Sequence, residues 1–436
     1  MGVIGCGSHS CYWNVPLMLA NRSQQIVGIC DPDRLHLEMV QKRVDEFYSQ
    51  QTGRDYHVAT YRDFRDLVNR RDVDAVDVIT PDHWHVLMSV FAMKAGKHVI
   101  SEKPTLTIRE AQRLVEVQKA TGKVFLTASQ NRTVDTNQQL ANLCLNRVIG
   151  NLKRIKVLMP FGNRKRGSLD FSVQPIPETL DYELWSGPAP LLPFIPARLH
   201  LNWRNHFAYS GGTLPDWAAH YVNLAYWANG SDATTPIRFT PNRENPKTRY
   251  AFPPGDAPWT TTAAYDFNAE FANGVTMRVW SENPGIKFEG DEGWVLAKGR
   301  SLYDSELTAS RESILKWVPG PNDLDVGRGL EYCMVSRTPG KGLQGVQGGE
   351  HVHFSHCVRT GQTETYYPAP LAYRTDVTSL AANLMMLNDL PSLEWDPTAE
   401  KFVGGNAETA NQSFLFDRPQ REPWTFEKVD SWINVG

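Results

Sequence analysis

Val3-Ile4-Gly5-Cys6-Gly7-Ser8-His9-Ser10 carries the chain from an apolar, strand-like run into a GxGxxx turn. Glycine at the first two motif positions lets the backbone turn sharply and approach a pyrophosphate at the N-terminus of a following helix. Ser10 stands where a third Gly or Ala is usual, a departure that loosens the expected packing. Asp31 follows the next apolar run, Ile26 to Cys30, at about the 20-residue separation kept by an acid that holds an adenosine ribose diol. Its charge repels a 2′-phosphate, so NAD is expected in preference to NADP.

Outward from this turn the pattern repeats. Apolar runs at Ala75 to Thr80, His98 to Ser101 and Val124 to Leu126 are too continuous to have a wet face and suit buried parallel strands. Helices are expected at Arg34 to Gln50, Asp63 to Arg70, His83 to Lys94 and Thr107 to Thr121, the last opened by a Thr107/Glu110 capping box. This βαβα rhythm predicts an α/β fold: a doubly wound parallel sheet over residues 1–133, binding NAD.

Residues 134–436 read as an α+β domain for substrate binding and oligomerisation. A helix from about Asp135 to Arg147 and a strand at Leu152 to Met159 precede an irregular stretch, Phe161 to Ser210. A helix from about Asp216 to Ala228 follows, then β-leaning runs between Thr240 and Leu307 separated by turn signals, read as a large, mainly antiparallel sheet of meander type. A last helix is expected from about Thr375 to Leu387. No helical cover is evident for the sheet's outer face, so a homodimer or homotetramer is expected.

Composition narrows the function. The chain has 436 residues, and at ~100–200 per domain two or three domains are expected. Lys and Arg number 45 against 48 Asp and Glu, which argues against nucleic acid as a partner. No apolar run approaches the ~18 residues of a membrane span. The abrupt start suggests a trimmed precursor, leaving cytoplasm and periplasm both open. Six scattered cysteines read as buried thiols. His351, His353 and His356 match no usual zinc spacing, so no metal is expected; Arg164-Lys165-Arg166 reads as a solvated loop.

Two segments carry chemistry. Thr80-Pro81-Asp82-His83-Trp84-His85 and Ser101-Glu102-Lys103-Pro104 both lie at strand carboxyl ends, where an open α/β sheet presents its ligands. Lys103 there can hydrogen-bond a substrate hydroxyl and stabilise a developing alkoxide. In Gly211-Gly212-Thr213-Leu214-Pro215-Asp216-Trp217-Ala218-Ala219-His220, Asp216 and His220 are four apart and share a helix face. The carboxylate is expected to orient the imidazole, making His220 a general base. Arg204 and His206 are expected to line a sugar pocket, and Asn131 to reach the cofactor, although interdomain packing explains each equally well. Gly5, Gly7, Ser8, His9, Asp31, Thr80, Pro81, His85, Glu102 and Lys103 complete the expected cofactor set.

These motifs, with AMKAGKHVISEKP (Ala92 to Pro104), ASQNR (Ala128 to Arg132), LDYELWSGPAP (Leu180 to Pro190) and RPQREPW (Arg418 to Trp424), resemble the glucose-fructose oxidoreductase and inositol dehydrogenase family, Gfo/Idh/MocA. The look is that of its bacterial, planctomycete- and Bacteroidetes-like branch. The resemblance implies a Rossmann domain, a mainly antiparallel second domain, and a catalytic set of Lys103, Asp216 and His220. Asn223 departs from the pattern, standing where many members carry an acid. The implied activity is hydride transfer from a ring hydroxyl of a sugar, glycoside or cyclic polyol to NAD. One alternative is a glycoside hydrolase that keeps its NAD and works through a transient 3-keto sugar; another is a non-catalytic sugar or nucleotide sensor.

Overall fold

The computed structural model describes residues 1–162, 168–244, 259–299, 305–335 and 349–433. Arg164-Lys165-Arg166 and, within the expected β region from Thr240 to Leu307, residues 245–258 and 300–304 lie outside them. Six strands, β1 (Gly2–Ile4), β2 (Gly28–Cys30), β3 (Ala59–Tyr61), β4 (Ala75–Val78), β5 (His98–Glu102) and β6 (Phe125–Ala128), form one parallel sheet in the order β3-β2-β1-β4-β5-β6. Its connections contain α1 (Val15–Ala20), α2 (Arg34–Thr52), α3 (Phe64–Val68), α4 (Asp82–Lys94) and α5 (Ile108–Thr121). The order reverses between β1 and β4, which opens a crevice at their carboxyl ends. Every residue of β1, β2 and β4 is buried, as continuous apolar runs require. Strand β3 was not expected: it has three residues, none of them buried, on the sheet's edge. The chain reaches α1 through a π-helical turn at Ser10–Asn14, a rare geometry that recurs at functional sites.

The second sheet has nine strands: β7 (Leu152–Met159), β8 (Arg238–Pro241), β9 (Asp266–Glu270), β10 (Thr276–Ser281), β11 (Gly285–Gly290), β12 (Trp294–Lys298), β13 (Glu306–Ala309), β14 (Leu393–Asp396) and β15 (Lys401–Val403). Their order is β13-β12-β11-β7-β10-β9-β8-β14-β15. It is not the expected meander. Strand β7 lies between β10 and β11, pairing parallel with the former and antiparallel with the latter. Side-chain alternation tells which face a strand buries and is silent on its neighbour.

Helices α6 (Asp135–Leu145), α7 (Tyr182–Ser186), α8 (Thr213–Ala228), α9 (Glu312–Leu315), α10 (Glu350–Thr360), α11 (Ala369–Leu387) and α12 (Ala407–Asn411) complete the described α-helices. Ile155, Val157, Met277, Val279 and Phe288 of the sheet join α8 and α11 in one core. Helix α11 starts six residues before its expected position, with Pro370 in the first turn, where its missing N–H costs nothing. The other sheet face is charged and aromatic rather than apolar. Glu289 accepts from Arg154 at 3.1 Å and Lys156 at 2.9 Å, while Arg278 and Lys287 lie over the rings of Trp280 and Trp294. Among the described residues no helix is long and apolar enough to cross a membrane.

Helix α10, not anticipated, lies against the parallel sheet. His351 Nε2 is 2.9 Å from Asp77 Oδ2 of β4, with both side chains essentially without exposure. Asn21 donates to the His351 carbonyl and to Ser355 Oγ, each at 3.0 Å. Of the neighbouring histidines, His353 lies 2.8 Å from Tyr332 Oη, and His356 packs on the Tyr332 ring. Removing one partner of a buried pair strands the other's charge. We therefore expect His351→Ala to lower the unfolding free energy by about 3–5 kcal/mol, measured by urea denaturation, and Ser355→Ala to cost much less.

Candidate functional site

A cavity of about 230 Å³ lies at the carboxyl ends of β1, β2, β4 and β5. Gly5, Gly7, Ser8, His9, Asp31, Thr80, Pro81, His85, Glu102 and Lys103 line it, together with Arg204 and Trp203 from the second architecture. Asn131 does not: its amide donates to the His220 carbonyl, so it supports α8 rather than facing a cofactor. His206 is also outside the lining, with Nδ1 accepting from the Ala208 amide at 3.1 Å.

The cofactor end fits a dinucleotide. At Gly5, φ is +96°, and a Cβ would fall 2.2 Å from the Ile79 carbonyl oxygen, so only glycine lets the turn lie against the end of β4. A Cβ on Gly7 would meet nothing nearer than His36 at 4.0 Å, which leaves backbone bare on the cavity side. Asp31 is set in place by the amides of Cys6 (2.6 Å) and Asp33 (2.8 Å). Burial raises its pKa, an effect these two amides and nearby His36 oppose. Glu102 accepts from Asn14 at 3.1 Å and lies 2.9 Å from His9 Nε2. Burial opposes its charge, but His9, Lys103 and these bonds outweigh that and hold the carboxyl well below its usual range. The π-helical turn supplies Asn14, a contact invisible to a motif reading that stops at Ser10.

At the other end, Lys103 Nζ donates to Asp216 Oδ1 at 2.7 Å, and Arg204 Nε lies 3.6 Å from the same oxygen. Burial opposes both charges, yet mutual attraction wins: Asp216 is held well below the carboxylate range and Lys103 above its ordinary value. The expectation that Asp216 orients His220 by a direct bond is corrected. The imidazole instead contacts the Ser129 carbonyl through Nδ1 at 3.0 Å. A carbonyl only accepts, so Nδ1 carries the proton and Nε2 the lone pair. Burial and the Lys103 cation push the His220 pKa down to about 4, with Asp216 partly opposing, so the ring is neutral at neutral pH.

Helix α8 is positioned from both sides. Asp82 Oδ2 accepts from Ser210 Oγ at 2.6 Å, and Ser210 Oγ in turn accepts from the Gly212 amide at 3.0 Å. Gly212 has φ +91°, and a Cβ there would sit 2.8 Å from Thr261 Cβ, so the Gly-Gly entry is a close approach rather than a flexible hinge. Burial pushes Asp82 up to about 8, which makes it a neutral strut at pH 7. Asn223, the departure noted above, accepts from Arg132 at 2.9 Å and 3.1 Å and donates to Ser129 Oγ at 3.3 Å. Asp82 and Ser129 escaped the sequence reading, since neither a strut nor a carbonyl acceptor has a composition signature; the position of Asp82 within Thr80 to His85 was the one available hint.

Fold and site together define an enzyme built on an NAD(P)-binding Rossmann domain. Residues 1–129 match the family model described as "Oxidoreductase family, NAD-binding Rossmann fold", and residues 161–249 match "Oxidoreductase family, C-terminal alpha/beta domain". The chain belongs to the Gfo/Idh/MocA oxidoreductase family. It is 41% identical over 101 residues to a "Glycosyl hydrolase family 109 protein 2" of Shewanella sp. (strain ANA-3), spanning 22% of this chain and 21% of that protein. It is 32% identical over 123 residues to an "Alpha-N-acetylgalactosaminidase" of Tannerella forsythia, spanning 28% and 26%. The matches thus cover about a fifth to a quarter of those relatives. In fold it is similar to an aldose-aldose oxidoreductase from Caulobacter crescentus (TM-score 0.60, 17% identity, 90% of this chain and 98% of that one). The WlbA dehydrogenase of Bordetella pertussis, solved with NADH and UDP-GlcNAcA, gives TM-score 0.60 and 17% identity over 91% and 98%.

The charge arrangement makes a direct prediction. By NMR titration the His220 imidazole should have a pKa of about 4. Lys103→Met should raise it by removing a neighbouring cation, and Asp216→Asn should lower it by removing the compensating anion.

Proposed function

We propose that the chain is an NAD-dependent oxidoreductase that acts on a ring hydroxyl of a sugar, glycoside or cyclic polyol. The observation that carries this reading is that one cavity holds both the Gly5/Asp31 dinucleotide end and Lys103, whose ammonium is bound behind the lining to Asp216 on the helix that also carries a neutral His220. NAD, when bound, supplies the hydride acceptor. Lys103 donates a hydrogen bond to the substrate oxygen and favours its ionised form. His220 Nε2 takes the hydroxyl proton, while the Ser129 carbonyl fixes the tautomer that makes this possible. Asp216 keeps Lys103 charged in a buried position, and Arg204, lying over Trp203 at 4.1 Å, forms the outer wall.

Replacing His220 with Ala should reduce turnover by something on the order of 10²–10⁴ with little change in dinucleotide affinity. Near-normal turnover on the true substrate would end the assignment. Asp31→Ala should narrow the preference for NAD over NADP in direct binding, because it removes a diol acceptor together with the repulsion of a 2′-phosphate. The proposed homodimer or homotetramer would bury the Trp280/Trp294 sheet face, and light scattering at micromolar concentration should return a species larger than the monomer.

A second reading is favoured by the names of the glycosyl hydrolase family 109 relatives. The same residues could oxidise a glycoside at C3, acidify its C2 hydrogen, release the aglycone by elimination, and restore the hydroxyl after water adds. A chromogenic glycoside separates the two: aglycone release with no net NADH selects the hydrolase, and steady NADH production from free sugars selects the dehydrogenase.

A further inference from the structure

At the adenosine end of the cavity stand side chains that the reading above does not use. Asp33, His36 and His200 each offer one ligand atom, all three atoms lying within 4.8 Å of one another. His36 Nδ1 is 4.0 Å from Asp33 Oδ2 and 3.9 Å from Asp31 Oδ1, and the His36 and His200 rings meet edge-on at 4.8 Å. Neither imidazole makes a side-chain hydrogen bond among the described residues, so the nitrogen lone pairs are uncommitted. Asp33 Oδ1 accepts from the Leu35 amide at 3.0 Å as the cap of α2, which leaves Oδ2 for another partner. The sequence hides this cluster, because His200 arrives from a segment far along the chain.

We propose that Asp33, His36 and His200 form a binding site for a divalent transition cation of the Zn²⁺ class at the mouth of the dinucleotide groove. The chemistry follows from the donors: two imidazole nitrogens and one carboxylate oxygen suit a borderline cation, whereas Ca²⁺ and Mg²⁺ want an oxygen shell. Atoms separated by at most 4.8 Å lie about 2.8 Å from their common centre, and Zn–ligand bonds of about 2.0–2.1 Å need each donor to move by less than about 1 Å. His200 is exposed, so its ring has room for that movement. The Asp33 charge, with Asp31 close by, offsets that of the cation. Because His36 and His200 line the same cavity as Asp31, the proposed ribose acceptor, bound metal and bound dinucleotide compete.

The test uses the full chain without an affinity tag. Titration with Co²⁺ as a spectroscopic stand-in should give visible d–d bands that saturate at one equivalent and are displaced by Zn²⁺. His36→Ala and His200→Ala should each weaken Zn²⁺ binding at least about 10-fold. Asp33→Asn should do likewise while retaining the helix cap, and His356→Ala, on α10, should change nothing. Bands that never appear, or Zn²⁺ binding that survives both cavity histidine variants, would overturn the site. Zn²⁺ should also raise the apparent Kd for NADH in the wild type and have little effect in His200→Ala. The competition rests on the dinucleotide reading: a chain that binds Zn²⁺ through these residues but binds no NADH would refute that reading and leave the metal site standing.

Discussion

The buried ion pair between Lys103 and Asp216 is the contact on which the site's arrangement depends. It joins the end of the parallel sheet to the first turn of α8, with side-chain exposures of 9% and 14%. Two charges placed there lose most of their hydration, and only a short, well-aimed contact compensates. At 2.7 Å that condition is met, so the two halves of the molecule are held in one register. Loss of either partner would leave a desolvated charge facing the cavity. The pair thus fastens the end of β5 to α8.

Other buried polar contacts repeat this logic at greater distance from the cavity. Asp82 grips Ser210 and through it the start of α8, Asp77 meets His351 of α10, and Thr105 donates twice to Asp376 of α11. Each joins a residue at or near a strand of the first sheet to a helix outside it. Apolar packing alone is non-directional and would tolerate sliding of one layer on the other. Hydrogen-bonded carboxyl groups do not tolerate it, because a slip of an ångström or two leaves a donor or acceptor without its partner. The geometry of Lys103, Asp216 and His220 is therefore maintained by contacts that never touch a substrate.

How much of this was legible in the sequence depended on whether a feature was local. The parallel strands showed as apolar runs, Thr107 as a cap, and the Gly5 turn by its spacing from Asp31. Strand β3 escaped because three half-wet residues on an edge leave no pattern. The insertion of β7 between β10 and β11 escaped because pairing partners are chosen by the whole core. The i,i+4 spacing of Asp216 and His220 placed both residues on one helix but suggested the wrong bond: a stronger partner, Lys103, comes from another part of the chain and takes the carboxylate. The Ser129 carbonyl then takes over the imidazole. Backbone acceptors are available at every residue, so no sequence feature marks the one that is used.

That exchange of partners has a chemical consequence. An ammonium group carries three N–H donors, and Asp216 occupies one of them, so Lys103 is anchored while keeping donors for an incoming hydroxyl. Had Asp216 been bound to His220, it would have raised the basicity of the imidazole and left the lysine loose in a desolvated pocket, where a cation tends to lose its proton. The arrangement found here divides the work differently. The ammonium remains charged, as the proposed stabilisation of a substrate oxygen requires, and the imidazole stays neutral with its lone pair on Nε2. A weak base suffices when the hydroxyl it serves is already acidified by a neighbouring cation, so a His220 pKa lowered by burial to about 4 is compatible with the proposed role as base.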